Sequence, residues 1–177
     1  MKARFNIALC PDEKIQEAYF RTASVFQDRQ MNYCLAPGRA LAHVTLSQFY
    51  ARDTAEALAC AAPFLERCIS VMPVHFYAHL DEVSGGSGLW VGHGVRREES
   101  LLSLQEEIVS FLKDRQVSPL QKTGNDYFPH FTLARITLED VTLPAGVFEA
   151  PPMKEVIPCA VRLGRSDEWG QFLEVIG

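Results

Sequence analysis

Two histidines in this chain sit in nearly the same setting. His43 opens the run His43-Val44-Thr45-Leu46, and His130 opens His130-Phe131-Thr132-Leu133, nearly half the chain away. Positions i and i+2 of a strand share a face. His43 would therefore project with Thr45, and His130 with Thr132, while Val44, Leu46, Phe131 and Leu133 turn toward packing. An imidazole with its ordinary pKa of about 6.5 populates both protonation states near neutrality. One neutral ring can take a proton from water or a hydroxyl while a second, protonated ring gives one to a departing oxygen. Two threonine hydroxyls suit the nonbridging oxygens of a phosphoryl group as negative charge builds on them. The chemistry that fits is displacement at phosphorus, a scheme that needs no metal. A single strand histidine would ordinarily be a packed polar residue; the matched flanks are what set this pair apart.

Each histidine needs a strand to carry it. "RFNIALC" at 4–10 alternates, with Phe5, Ile7 and Leu9 on one side and Arg4, Asn6 and Ala8 on the other. Pro11 and Asp12 start a helix that uses Ile15, Ala18, Tyr19, Val25 and Phe26. "APGRA" at 36–40 reads as a turn delivering the chain into the first tetrad strand. A helix over 53–69 begins at Asp53 or Thr54 and reaches the core with Leu58, Ala61, Leu65 and Cys68, interrupted by Pro63. "VHFYAHLDEV" and "GLWVGHGV" form a hairpin across "SGGSG". Leu101, Leu104, Ile108, Phe111 and Leu112 have helical spacing within 98–115. A loop at 121–129 feeds the second tetrad strand, and 154–166 with 169–176 close the chain as a hairpin. The order β-α-β-α-β-β-α-β-β-β describes two half-domains, each with one tetrad strand, and an α/β or α+β class.

Composition narrows the possibilities. The 177 residues and 47% hydrophobic content suit one domain or two tightly packed lobes. A formal charge of −5 argues against a long electrostatic track on nucleic acid, although one terminal phosphate needs only a few donors. The five cysteines are odd in number and form no CxxC, which disfavours a disulfide scaffold or zinc site. No apolar run approaches a membrane span, and the amino end lacks a signal-peptide core, so a reducing cytoplasm is expected.

The pair "HVTL" and "HFTL", and "PHFTLAR" at 129–135 in particular, resembles the two signature motifs of the two-histidine phosphoesterase superfamily, which includes RNA 2′-5′ ligase-like proteins and 2′,3′-cyclic phosphodiesterases. The resemblance covers most of the chain. It implies an α+β, bilobal, pseudo-twofold domain over 1–177, with two antiparallel sheets forming a central cleft, helices outside, and one HxTL strand from each lobe. It implies His43 and His130 as catalytic residues, Thr45 and Thr132 as phosphate-binding residues, no metal or other cofactor, and no obligate protein partner. The implied substrates are RNA termini or small cyclic nucleotides, with a 2′,3′-cyclic phosphate opened to a 2′-phosphate.

Other residues are candidates for substrate contact. Arg135 follows the second tetrad, but three positions past Thr132 a regular strand turns it to the opposite face. Arg39 lies in the turn before His43, and Lys122 in the loop before His130. Tyr127 and Phe128 are placed either to stack on a base or to pack the cleft rim. His75 and His79 share a strand face near His93, a weak metal candidate beside their reading as polar strand residues, one of which could contact substrate. "SGGSG" lacks the lysine and spacing of a phosphate-binding loop. Two alternatives to hydrolysis stay open: end joining, with a 5′-hydroxyl replacing water, and recognition of an RNA end or phosphate ligand without turnover.

Overall fold

The computed structural model describes residues 2–28, 30–80, 88–137 and 154–177. Its strands are β1 (Ala3–Pro11), β2 (Gln30–Cys34), β3 (Val44–Ala51), β4 (Cys68–Val71), β5 (Pro73–Leu80), β6 (Gly88–Val95), β7 (His130–Thr137), β8 (Ile157–Ser166) and β9 (Phe172–Val175). Three helices intervene: α1 (Glu13–Ser24), α2 (Thr54–Ala61) and α3 (Glu99–Asp114). Strand order is β4-β8-β1-β3-β7-β6-β5, with β2 added to β7 and β9 to β8, and the ladders between named strands are antiparallel.

The sheet has two halves. β4, β8, β1, β3 and β9 make one; β2, β7, β6 and β5 make the other. Between them β3 and β7 register at one pair, Val44 with Phe131. The α+β fold that the resemblance implies is present, with its antiparallel strands in one nine-stranded sheet that is continuous through that pair. Val44 and Phe131 are the middle residues of the two His-x-Thr triplets, so the join lies between the two sets of polar side chains. Both are fully buried. α1 packs against β7, α2 against β3 and β8, and α3 against β3 and β4.

Local chemistry explains where the helices begin and stop. Asp12 caps α1 by accepting from the Ile15 N–H at 2.9 Å, and Asp53 caps α2 by accepting from the Glu56 N–H at 2.8 Å. Each cap contributes about 1 kcal/mol. The apolar stripe of α3 buries Leu101, Leu104, Ile108 and Leu112. α2 ends at Ala61, well short of the span 53–69 read from sequence, because Pro63 cannot continue the ladder. Cys68, expected to reach the core from that helix, instead starts β4 and is exposed. Likewise α1 stops at Ser24, and Val25 lies 45% exposed. β2 and β4 are additional to the expected order. The connection inside the β5–β6 hairpin (81–87) and the proline-rich segment before β8 lie outside the described residues.

Phe131 packs against Tyr19 of α1 with ring centroids 4.6 Å apart. Truncating it empties the join between the halves, and Phe131→Ala is expected to cost about 3–5 kcal/mol. Denaturant unfolding of the variant beside wild type measures that loss.

Candidate active site

Each histidine is locked by its own backbone. His43 Nδ1–H donates to the Leu41 carbonyl at 2.8 Å, and His130 Nδ1–H donates to the Phe128 carbonyl at 2.7 Å. Both bonds run to residue i−2, so the two halves repeat one local device. With Nδ1 committed as donor, Nε2 of each neutral ring is the acceptor available to a ligand. Rings hold the imidazoles in place. His130 stacks on Phe128 at 5.1 Å and meets the edge of Tyr77 at 5.2 Å, while His43 lies 5.2 Å from Phe172.

The threonines face unlike partners. Asn6 Nδ2 donates to Thr45 Oγ1 at 3.0 Å, which leaves the threonine's own proton for a ligand. Across the site the Tyr77 and Thr132 hydroxyls are 3.1 Å apart, and Tyr33 lines the same cleft. Burial pushes both phenols up, so they stay protonated.

Loops are fixed with equal care. The Gln16 amide of α1 accepts from the Ala42 N–H and donates to the Ala42 carbonyl, both at 2.7 Å, anchoring the residue before His43. Gln121 behaves as a short strand. It accepts from the Gln48 N–H at 2.9 Å and donates to the Leu46 carbonyl at 3.0 Å. Arg97 donates to the carbonyls of Asn125, Tyr127 and Gly124, bracing the turn that leads to His130.

A bulge follows each triplet. Ile7 registers with Ser47 and Ala8 with Thr45, so Leu46 is the extra residue in β3. Val91 registers with Ala134 and Gly92 with Thr132, so Leu133 is the extra residue in β7. An inserted residue reverses the face of everything beyond it. Gln48, three past Thr45, consequently lines the cleft. Arg135, three past Thr132, is brought round in the same way, which corrects the opposite-face placement that regular alternation predicts. Its guanidinium is buried against Trp90 and Trp169, both of which line the cleft.

His43, Thr45, His130 and Thr132 share one cleft of about 310 Å³ with Lys122, Tyr127 and Phe128. Tyr127 is buried, and its hydroxyl donates to the Thr45 carbonyl at 2.7 Å, so it is framework and not a stacking platform. Phe128 is 43% exposed at the rim. Arg39 stays in its turn and does not line the cleft. His79 does line it, stacked on Tyr77 at 5.6 Å. His75 lies beside Phe128, and His93 is buried. No cluster of three or more metal-ligating side chains occurs among the described residues. Asn6, Gln16, Tyr33, Gln48, Tyr77, Trp90, Arg97, Gln121 and Trp169 were not singled out from sequence. No sequence signal marks them: Gln48 is placed by a bulge that only the register reveals, and the other partners arrive from distant strands, helices and loops.

Burial disfavours the charged form of both imidazoles. His43 is lowered to about 4, by burial first, against the raising effect of its bond to Leu41 and with the lowering effect of a charge on His130. His130 is lowered by burial first and then by His79, again opposed by its carbonyl bond.

No family model matches the chain, and no curated protein matches it in sequence. Solved structures do match its fold. E. coli LigT complexed with 3′-AMP superposes with a TM-score of 0.60 at 16% identity, over 94% of this chain and 90% of that one. The apo form of LigT gives 0.56 at 16% identity, covering 94% and 88%. A protein described as a phosphoesterase gives 0.54 at 18% identity, covering 94% and 90%. The chain shares the α+β fold of LigT. Among its described residues, no helix is long and apolar enough to cross a membrane.

Proton linkage gives a stability test. The unfolded chain protonates His43 near the ordinary imidazole value of 6.5, whereas the folded chain resists until about 4. The unfolded state therefore binds more protons in between, and stability falls as pH drops from about 6.5 to about 4. The His43 contribution to that fall is on the order of 3 kcal/mol, and His130 adds in the same direction. Unfolding free energies of wild type and His43→Gln across this window are expected to show a shallower pH slope in the variant.

Proposed function

We propose that this chain is a metal-independent phosphodiesterase that opens 2′,3′-cyclic phosphates at RNA or nucleotide ends to 2′-phosphates. The observation that carries this reading is the pair of imidazoles, each tied at Nδ1 to the carbonyl two residues back and each facing the same cleft with a threonine beside it. The fold shared with LigT, and the free thiols of all five cysteines, fit an enzyme of this kind in a reducing cytoplasm.

His43 Nε2 acts as the base. It is 6% exposed and furthest from accepting a stable charge, so it is neutral when substrate arrives. Water gives its proton to His43 Nε2 as its oxygen bonds to phosphorus. The bond from phosphorus to O3′ breaks, and His130 Nε2–H protonates that oxygen. An anionic phosphodiester beside His130 favours the imidazolium that the step requires. The Thr45 and Thr132 hydroxyls donate to the nonbridging oxygens while charge accumulates there.

Removing either imidazole takes away one proton transfer. His43→Ala and His130→Ala are each expected to lower kcat by about 10²–10⁴-fold with the circular-dichroism spectrum unchanged. Normal turnover by either variant would end the mechanism. The free enzyme must hold His43 neutral and His130 protonated, and both groups titrate below the usual imidazole range. The kcat/KM profile is therefore expected to peak below pH 6.5, whereas the alkaline limb in kcat, set by loss of the His130 proton, moves upward once the phosphodiester is bound.

A further inference from the structure

We propose that Trp90 and Trp169 form a nucleobase subsite at one end of the cleft, making a single base-bearing nucleotide the unit recognised. This rests on the phosphodiesterase reading for the identity of the phosphate site. The chain has two tryptophans, and both line the cleft while remaining half-buried. Trp90 lies two residues along β6 from Gly92, which registers with Thr132. At about 3.3 Å per residue the indole begins roughly 7 Å along the strand from the threonine. A ribose spans that kind of distance between a phosphate and a base.

The subsite is built, not incidental. The carboxylate of Asp167 accepts from the N–H groups of Trp169 and Gln171, each at 2.9 Å, and Arg4 donates to the carbonyls of Asp167 and Glu168 at 2.9 and 2.7 Å. These bonds fix the loop that presents Trp169. Beneath it the Arg135 guanidinium lies 4.9 Å from the Trp169 ring and 5.8 Å from Trp90, with Nη1 donating to Asn32 Oδ1 at 3.0 Å. A side chain at position 88 would come within 2.8 Å of that guanidinium, so Gly88 leaves the space it occupies. A buried cation under two indoles holds both rings without offering its charge to a phosphate. Stacking on such rings accepts any base.

Charge sets the size of the ligand. Among the described residues lining the cleft, Lys122 is the sole lysine or arginine, and Asp126 offsets it. A track for a long polyanion needs several cations. Aromatic surface with one phosphate site suits a mononucleotide or the last nucleotide of a chain.

Because both tryptophans are in the subsite, intrinsic fluorescence reads it directly. Wild type is titrated with adenosine 2′-monophosphate and, separately, with inorganic phosphate. The nucleotide is expected to quench emission saturably and to be displaced by phosphate, which itself leaves emission nearly unchanged. By calorimetry, Trp90→Leu and Trp169→Leu should each weaken nucleotide binding on the order of tenfold with phosphate affinity retained, and Trp169→Phe should restore most of the loss. Equal nucleotide affinity in both leucine variants, or no quenching at saturating nucleotide in wild type, would overturn the subsite. The wild-type measurement stands even if a leucine variant does not fold. Quenching by nucleotide with no competition from phosphate would leave the base subsite in place and count against the phosphodiesterase reading.

Discussion

The two halves of the sheet meet at one backbone pair, Val44 with Phe131, and the cleft depends on it. Antiparallel pairing fixes which residues oppose each other, and alternation then fixes their faces. Once Val44 and Phe131 are paired and buried, the flanking His43, Thr45, His130 and Thr132 have no freedom to lie elsewhere. A slip by one residue in either strand would bury a histidine–threonine pair in the core and expose the apolar residue between them. The hydrophobic effect that holds Val44 and Phe131 inside is therefore also what aims the polar pairs outward.

That arrangement puts imidazoles where charge is costly. Burial depresses His43 and His130, and a charge on His130 further opposes protonation of His43. Stability at low pH falls as a consequence, and in the proposed mechanism a bound anion decides which ring carries the proton. The supporting bonds are arranged accordingly: Leu41 and Phe128 carbonyls hold the ring tautomers, while Asn6 and Tyr77 hold the threonine hydroxyls. All of these partners except the Leu41 and Phe128 carbonyls come from elsewhere in the chain. The site is a product of tertiary packing more than of the tetrads themselves.

Much of this was legible in the residues alone. The tetrads, the stripe of α3, the β5–β6 hairpin and the closing hairpin carry strong periodicity, and Asp12 and Asp53 mark helix starts. β2 and β4 are short and carry little alternation, so nothing in their residues separates them from loop. The bulges are hidden for a different reason: Leu46 and Leu133 are apolar and buried, as they would be in a regular strand. Only the register reveals that each is an extra residue, and with it the placement of Gln48 and Arg135. Arg39 illustrates the converse, since closeness in sequence to His43 did not bring it into the cleft. Asn6, Tyr77 and Trp169 could not be linked to the tetrads without the fold, because sequence spacing says nothing about which strands and loops meet.

The most direct test of the account is the product formed from 2′,3′-cyclic AMP in EDTA, followed by phosphorus NMR with wild type, His43→Ala and His130→Ala. The two-histidine mechanism predicts accumulation of adenosine 2′-monophosphate by wild type alone, with EDTA making no difference. Appearance of the 3′-monophosphate, loss of turnover in EDTA, or undiminished turnover by either variant would contradict it.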